Sequence, residues 1–339
     1  MQHKLSAGPL LNEQGNLNEA GYAFSMVKEY DRKAIKAGKL RIKEWDYYYV
    51  GNNDYGIALT IADNSYMSLV SVSILDFKNK WFITKSNMGF MSKGKLNLPS
   101  TSKVGDIHYE DKKYKMDFLN DGKQRRLIVH VDNYHNNQNF DCDITLTESG
   151  PDSMVIATPF NKDKHFYYNQ KINCLKAKGS AFYNGKTYSL DNCYGVLDWG
   201  RGVWTYSNTW YWASMSGEYN GVPIGFNLGY GFGDTSAASE NVFFLDGKAY
   251  KLEDVSFNIP GDGTKKINYM EPWHFTSKDG SIDMIFTPII DRCDLTDVLV
   301  IKSLQHQVFG TYKGYVIVEG KKVEFDNMLG FAEKVKNCW

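Results

Sequence analysis

The chain contains two copies of one sequence pattern, and this duplication limits its possible folds more than any other feature. Gly179–Asp198 reads GSAFYNGKTYSLDNCYGVLD, and Gly314–Glu333 reads GYVIVEGKKVEFDNMLGFAE. The two stretches align without a gap at an offset of 135 positions. The matched pairs are Gly179 and Gly314, Gly185 and Gly320, Lys186 and Lys321, Asp191 and Asp326, Asn192 and Asn327, Gly195 and Gly330, and Asp198 and Glu333. Each copy predicts a hairpin with a glycine-containing turn, followed by an Asp that caps a short helical turn.

Earlier segments match more loosely but keep the same order along the chain. The stretch that begins at Glu44, EWDYYYVGNNDYGIALTIADNS, resembles the stretch that begins at Thr209. The corresponding residues are Trp45 and Trp210, Gly56 and Gly225, Leu59 and Leu228, Asp63 and Asp234, and Ser65 and Ser236. The sequence therefore predicts a lead-in segment over residues 1–39 and two homologous domains over residues 40–198 and 199–339.

Strand signals dominate both copies, because short β-branched and aromatic runs end at Asn-Asn, Asn-Gly, Asp-Gly and Glu-Gly turns. Short helices are predicted in Glu19–Lys39 and Asp326–Lys336. A meander of this many strands must protect its edges, and closure into a barrel does so. We therefore expect a mainly β fold of two tandem lipocalin-like β-barrels with few short helices, with a sandwich as the alternative. The cavity inside each barrel and the groove between them are the expected ligand sites.

Composition excludes several classes of protein. Lys+Arg and Asp+Glu both number 39 in 339 residues, so no net charge attracts nucleic acid or an anionic membrane. No apolar run is long enough for a membrane helix, and MQHKLSAGPLLNEQG lacks the apolar stretch of a signal peptide. The five cysteines are dispersed and form no Cys-x-x-Cys pair, which favours reduced thiols in a cytoplasmic protein. No Walker loop, Rossmann fingerprint or His-x-x-x-His pattern is present, so we expect no cofactor and no metal.

Several motifs carry a resemblance to a known family. GPLLNEQGNLNEAGYA, KLRIKEWDYYYV, LDWGRGVW, FGDTSAASEN and QVFGTYKGYVIVEGK resemble domain-of-unknown-function family 2804 over essentially the whole chain. That family is similar to the tandem-lipocalin group, which includes carotenoid hydratases, a plant-phytoalexin hydratase and pericyclic cyclases of fungal polyketide pathways. The resemblance implies a fold, and apolar ligands that undergo hydration, dehydration or cyclisation. It implies no particular reaction, because function resides in sites rather than folds.

The densest motif lies at the junction of the two copies, where LDWGRGVWTYSNTWYW combines four Trp with one Asp and one Arg. The candidate ligand-binding residues there are Trp199, Arg201, Trp204, Trp210 and Trp212. Asp198 is a candidate acid or base. The guanidinium of Arg201 could bind a carboxylate or stack on an indole. The alternative is a structural clamp between Arg201 and Asp198.

A second motif, FNLGYGFGDTSAASEN, alternates glycine with aromatic residues, which indicates close approach of a ligand or another backbone. Asp234 and Glu240 are candidate acid–base residues, with Asn227, Thr235 and Asn241 as ligand contacts. Asp234 could instead accept a hydrogen bond within an Asx turn. If Glu240 points into a barrel, burial would raise its pKa and suit it to be a general acid. His274, beside Trp273, is the remaining acid–base candidate, and a hydrogen-bonded strand histidine is the alternative.

Three functions are consistent with these features. The first is a cofactor-independent hydro-lyase or isomerase that acts on a hydrophobic molecule of terpenoid, polyketide or lipid type. Aromatic walls would then stabilise a carbocation-like state, and a carboxyl group would supply the proton. The second is a carrier that binds a lipid or pigment without reaction. The third is a carbohydrate-active enzyme with paired carboxylates.

Overall fold

The structure, a computed structural model, describes residues 2–264, 266–298 and 301–338. Its N-terminal segment contains the strands β1 (Gly8–Pro9), β2 (Gly21–Ala23) and β3 (Lys28–Glu29) and single 3₁₀ turns at Arg32–Ala34 and Lys39–Arg41. The helix predicted in Glu19–Lys39 is therefore wrong. This segment touches both halves of the molecule, because β2 pairs with a strand of the first sheet and Gln2 Nε2 donates to the Leu252 carbonyl in the second half.

The first large sheet is built by an up-and-down meander whose last strand returns to its first. Its further strands are β4 (Ile42–Gly51), β5 (Tyr55–Asp63), β6 (Met67–Asp76), β7 (Trp81–Phe90), β8 (Ile107–Glu110), β9 (Tyr114–Asn120), β10 (Arg125–His135), β11 (Gln138–Thr147), β12 (Met154–Pro159), β13 (Phe166–Tyr183), β14 (Lys186–Ser189) and β15 (Tyr194–Val203). The strand order is β7-β6-β5-β4-β15-β13-β11-β10-β9-β8, with β12 and β14 paired to β13 and β2 paired to β12.

The second sheet repeats this plan. Its strands are β16 (Ser207–Tyr219), β17 (Val222–Tyr230), β18 (Val242–Leu245), β19 (Lys248–Lys251), β20 (Val255–Asn258), β21 (Trp273–Ser277), β22 (Ile282–Val298), β23 (Ile301–Val318) and β24 (Lys321–Cys338). Their order is β19-β18-β17-β16-β24-β23-β22-β21-β20. The two paths coincide when β4 is matched to β16 and β15 to β24. This confirms the tandem lipocalin-like fold and its internal duplication, with two curled half-barrel sheets.

The helix predicted in Asp326–Lys336 is also wrong, because these residues form the long strand β24, which pairs with β16 on one side and β23 on the other. The tertiary pairing overrides a short amphipathic pattern. No α-helix occurs in the described ranges, and none of the helical turns there has the length and apolarity of a membrane span. The division at residues 198 and 199 stays a prediction, and both residues lie inside β15.

Each curled sheet encloses its own apolar core, and a third cluster joins the two. The first core includes Trp199 and Tyr168, and the second includes Trp273 and Phe226. The joining cluster combines residues of both sheets, among which the Tyr47 ring meets the Trp212 indole at 6.1 Å. Because side chains fill both cores, the residues at the contact between the sheets become the main candidates for chemistry.

Candidate functional site

A group of charged side chains is buried where the two sheets face each other. We call Lys171, Asp198, Asn227, Glu240 and Glu333 the inter-sheet cluster. Lys171 Nζ lies 2.8 Å from Asp198 Oδ1 and 4.0 Å from Glu240 Oε2. It also sits 3.9 Å from the centre of the Trp212 ring, so an indole face covers the ammonium. Buried charges are stable in a protein interior only when they are paired or hydrogen-bonded, and this cluster meets that condition.

Asp198 is held by three donors from the first half of the chain. Besides Lys171, these are Trp45 Nε1 at 3.1 Å from Oδ2 and Asn169 Nδ2 at 2.5 Å from Oδ1. Asp198 lies in register with Lys171 across the β13–β15 ladder, which places the two side chains on one face of the sheet. The ladder therefore fixes this ion pair.

Glu333 is held in the same way in the second half. Trp210 Nε1 donates to its Oε1 at 2.9 Å, and Gln307 Nε2 and Gln305 Nε2 donate to its Oε2 at 3.1 and 3.3 Å. Burial raises the pKa of Glu333 to about 7, against the opposing effects of the Trp210 hydrogen bond and the charges of Lys171 and Arg292. A group with such a pKa can both donate and accept a proton near neutral pH.

Glu240 completes the set of carboxyl groups. Asn227 Nδ2 donates to its Oε2 at 3.2 Å and to its main-chain carbonyl at 3.0 Å, while Asn227 Oδ1 accepts from Trp212 Nε1 at 2.6 Å. Burial raises the pKa of Glu240, although the Lys171 charge partly offsets this effect. The protonated form of Glu240 is thus favoured relative to an exposed glutamate.

Aromatic rings cover one side of the cluster. We call Trp45, Tyr167, Trp204, Trp210 and Phe232 the aromatic wall. The Phe232 ring lies at its centre, with ring centroids 4.9 Å from Tyr167, 4.8 Å from Trp204 and 5.1 Å from Trp210. Phe232 follows β17 between Gly231 and Gly233, whose positive φ angles of 89° and 76° allow the chain to turn back onto the wall.

Under Phe232 lies a small cavity beside Glu240. Its lining also includes Tyr167, Gly229 and Thr235, and its volume of about 10 Å³ is that of roughly one water molecule. A larger ligand can therefore enter only if Phe232 and its loop move.

The structure brings together many of the residues singled out in the sequence. Asp198, Glu240, Asn227, Trp210 and Trp212 belong to the cluster or contact it directly. Trp204 lies in the aromatic wall, and Thr235 lines the small cavity. Asn241 is buried nearby, where its Oδ1 accepts from the Gly229 N–H at 2.8 Å, so it holds the backbone of β17.

Four candidates lie elsewhere. Asp234 is exposed and accepts from the Ser236 N–H at 3.0 Å, an Asx turn that lowers its pKa. His274 is exposed on β21 and bonds to Asp283 at 2.8 Å. Trp199 and Arg201 project into the first core, where Arg201 pairs with Asp46 at 3.0 Å. The predicted clamp between Arg201 and Asp198 is wrong, because residues three apart on a strand point to opposite faces.

Sequence reasoning missed Lys171, Gln307 and the role of Glu333. Lys171 lies in an ordinary strand segment without a motif. The signal for Glu333 was present, since it is the repeat equivalent of Asp198, just as Trp210 is the equivalent of Trp45.

Comparisons with known proteins agree with this architecture. The model of the family described as Domain of unknown function (DUF2804) matches residues 2–339. The structure of a candidate AttH protein from Nitrosomonas europaea is 12% identical, with a TM-score of 0.59, 96% of this chain covered and 98% of the other. The structure of kievitone hydratase from Nectria haematococca is 13% identical, with a TM-score of 0.53 and 88% of each chain covered. At these identities the likeness shows the fold. Among curated proteins, no sequence matches the chain.

Proposed function

The chain belongs to the DUF2804 family, and we propose that it is a cofactor-independent enzyme of the hydro-lyase or isomerase type that acts on a hydrophobic small molecule. The observation that carries this proposal is the burial of three carboxyl groups and one ammonium group against aromatic rings between the two sheets. Burying charged groups costs free energy even when they are paired, and perturbed carboxyl groups are concentrated at functional sites.

The proposed chemistry assigns different roles to the carboxyl groups. Glu333, with a pKa of about 7, donates a proton to a substrate carbon or to a leaving hydroxyl group. Glu240, beside the small cavity, accepts the proton of an attacking water molecule or the proton of a C–H bond. In hydration, water adds across a double bond. Dehydration is the reverse, and isomerisation results when the proton leaves from a different carbon.

Lys171 and Asp198 serve as a fixed ion pair in this scheme. The ammonium lies 2.8 Å from Asp198 and 4.0 Å from Glu240, and its charge favours the ionised form of Glu240 that accepts a proton. The indole faces of Trp210 and Trp204 would stabilise a cationic intermediate.

The substrate is proposed to be apolar because the wall offers ring faces and few hydrogen-bonding groups. Its entry requires Phe232 to leave its place between Tyr167, Trp204 and Trp210. The fold of kievitone hydratase is similar, which supports a hydratase activity for this tandem-barrel fold. The proposed substrate class is inferred from the aromatic wall alone.

Native mass spectrometry of the purified protein tests the proposal. We compare the wild type with E333Q and E240Q, and use D234N as a matched control because Asp234 is exposed and outside the cluster. An empty wild type beside a cluster variant that retains a small apolar molecule indicates arrested turnover and supports the enzyme. The same molecule retained by all forms indicates a carrier and contradicts the proposal.

A further inference from the structure

A second group of reactive side chains lies at the mouth of the second barrel, on the opposite face of β22 and β23 from the inter-sheet cluster. Cys293 and His306 are direct partners across the β22–β23 ladder, and Asp291 lies two residues before Cys293 on the same face. The next inward residue on this face of β23, Val308, belongs to the second core. The group therefore sits at the rim, just above the packed interior.

The three side chains are connected in a defined order. His306 Nδ1 lies 2.7 Å from Asp291 Oδ2, and His306 Nε2 lies 3.9 Å from Cys293 Sγ. Because a carboxylate only accepts, the proton of the neutral imidazole is on Nδ1. The lone pair of Nε2 then faces the thiol. A sulfur–nitrogen distance of this length is common for a nucleophile and base before substrate binds.

The imidazole is also fixed in its plane. The Tyr269 ring stacks on it at 3.8 Å with an interplanar angle of 13°. His306 and Asp291 are mostly covered, whereas Cys293 is exposed to solvent. The sulfur is accessible to a reagent, and its base is held in place.

From this arrangement we propose that Cys293 is a nucleophilic thiol, with His306 as its general base and Asp291 as the residue that orients the base. The chemical class of its substrate is a soft electrophile, an α,β-unsaturated carbonyl compound. In the reaction the thiol proton passes to His306 Nε2 while sulfur forms a bond to the β-carbon. The resulting enolate takes the proton back at its α-carbon, so the adduct contains all atoms of both reactants.

The base is needed because the thiol does not ionise by itself. Burial and the nearby carboxylates of Asp291 and Asp294 raise the pKa of Cys293. Without His306 the group would remain a weakly reactive thiol, since the thiolate is the nucleophile.

The chain supplies its own controls for a test with N-ethylmaleimide, an α,β-unsaturated dicarbonyl reagent. Cys338 is partly exposed, and its thiol lies 3.6 Å from the Ser207 hydroxyl instead of a base. Cys142 and Cys174 are buried, so their labelling reports unfolding. Adduct formation at each cysteine is followed by peptide mass spectrometry at neutral pH.

We expect Cys293 of the wild type to react about tenfold faster than Cys338, a modest contribution for a general base. In H306Q the rate at Cys293 falls to that of Cys338, and in D291N it falls by a smaller factor. The rate at Cys338 stays unchanged in both. If Cys142 or Cys174 is also labelled in H306Q, that variant has unfolded. The rate at Cys293 in D291N then tests the proposal. Equal rates at Cys293 and Cys338 in the wild type, or a Cys293 rate unaffected by the folded variants, overturns the proposal.

Discussion

Asp198 and Glu333 occupy the same position in the two copies of the repeat, and each accepts a hydrogen bond from a tryptophan that is also duplicated, Trp45 in the first half and Trp210 in the second. The neighbouring strand adds two further donors in each half, Asn169 and Lys171 to Asp198, and Gln305 and Gln307 to Glu333. The main chemical difference is the exchange of a charged Lys for a neutral Gln. The two copies of the repeat thus contain equivalent carboxyl sites. The two sites differ in the charge of one neighbouring donor, which is Lys171 beside Asp198 and Gln307 beside Glu333.

The protonation of Glu333 makes stability depend on pH. Its pKa is about 7 in the folded protein and about 4.3 in an unfolded chain, so between these values the folded state holds a proton that the unfolded state has lost. Stability therefore falls as pH rises through this window, and the full cost, up to about 4 kcal/mol, is present above pH 7.

We expect E333Q to remove this pH dependence. In denaturant unfolding, raising the pH from about 5 to about 8 should lower the free energy of unfolding of the wild type by about 2 kcal/mol more than that of E333Q. D234N serves as the control, because Asp234 is exposed and its lowered pKa lies outside this range. A difference between E333Q and wild type that is the same at both pH values contradicts the raised pKa.

Removing Lys171 should destabilise the protein strongly. K171M leaves Asp198 buried without its ion-pair partner, and breaking a buried pair costs about 3–5 kcal/mol. The double variant K171M/D198N should recover part of this loss, which a double-mutant cycle measures. K186M is the matched control, since Lys186 is exposed and lies 3.9 Å from Asp76. Additive effects of K171M and D198N would show that the two groups do not interact.

The close approach of Gly200 to Trp45 should be sensitive to a single methyl group. A Cβ at Gly200 would lie 1.9 Å from the Trp45 ring, so G200A must displace the indole that bonds to Asp198. We expect a loss of about 1–3 kcal/mol and a changed near-ultraviolet circular dichroism spectrum. At Gly38 a Cβ would meet Arg41 at an ordinary 3.7 Å, so G38A should leave the spectrum unchanged. If the two variants behave alike, Trp45 is not packed as described.

Phe232 should control access to the aromatic wall. F232A removes the ring that contacts Trp204 and Trp210, and acrylamide should then quench tryptophan fluorescence more strongly. F182A is the control, because Phe182 is exposed on β13. Equal quenching in F232A, F182A and the wild type would mean that Phe232 does not close the site.

Much of the fold could be predicted from the sequence because duplication leaves matching turn residues. Asn192 and Asn327 both adopt positive φ angles, so the shared Asp-Asn pair has a local conformational cause. The helix prediction failed in Asp326–Lys336, where pairing with two neighbouring strands decides the conformation. Such long-range pairing leaves no mark in a short window of sequence.

The site was only partly predictable, for a similar reason. Glu240 and Trp212 lie in rich motifs, whereas Lys171 becomes important only because the β13–β15 ladder places it beside Asp198. Asp234 stood in the same motif as Glu240, but its side chain turns outward to cap the Ser236 N–H. A motif does not reveal which of its side chains is buried.

The most direct test of the account is the protonation of Glu333 itself, followed by NMR of protein labelled with ¹³C at the glutamate side-chain carboxyl. We expect one carboxyl resonance to titrate with a midpoint of about pH 7, to be absent from E333Q and to persist in D234N. A spectrum in which the resonance removed by E333Q titrates near the ordinary glutamate value, about 4.3, would contradict the account. Glu333 would then be ionised at neutral pH and could not serve as the proton donor.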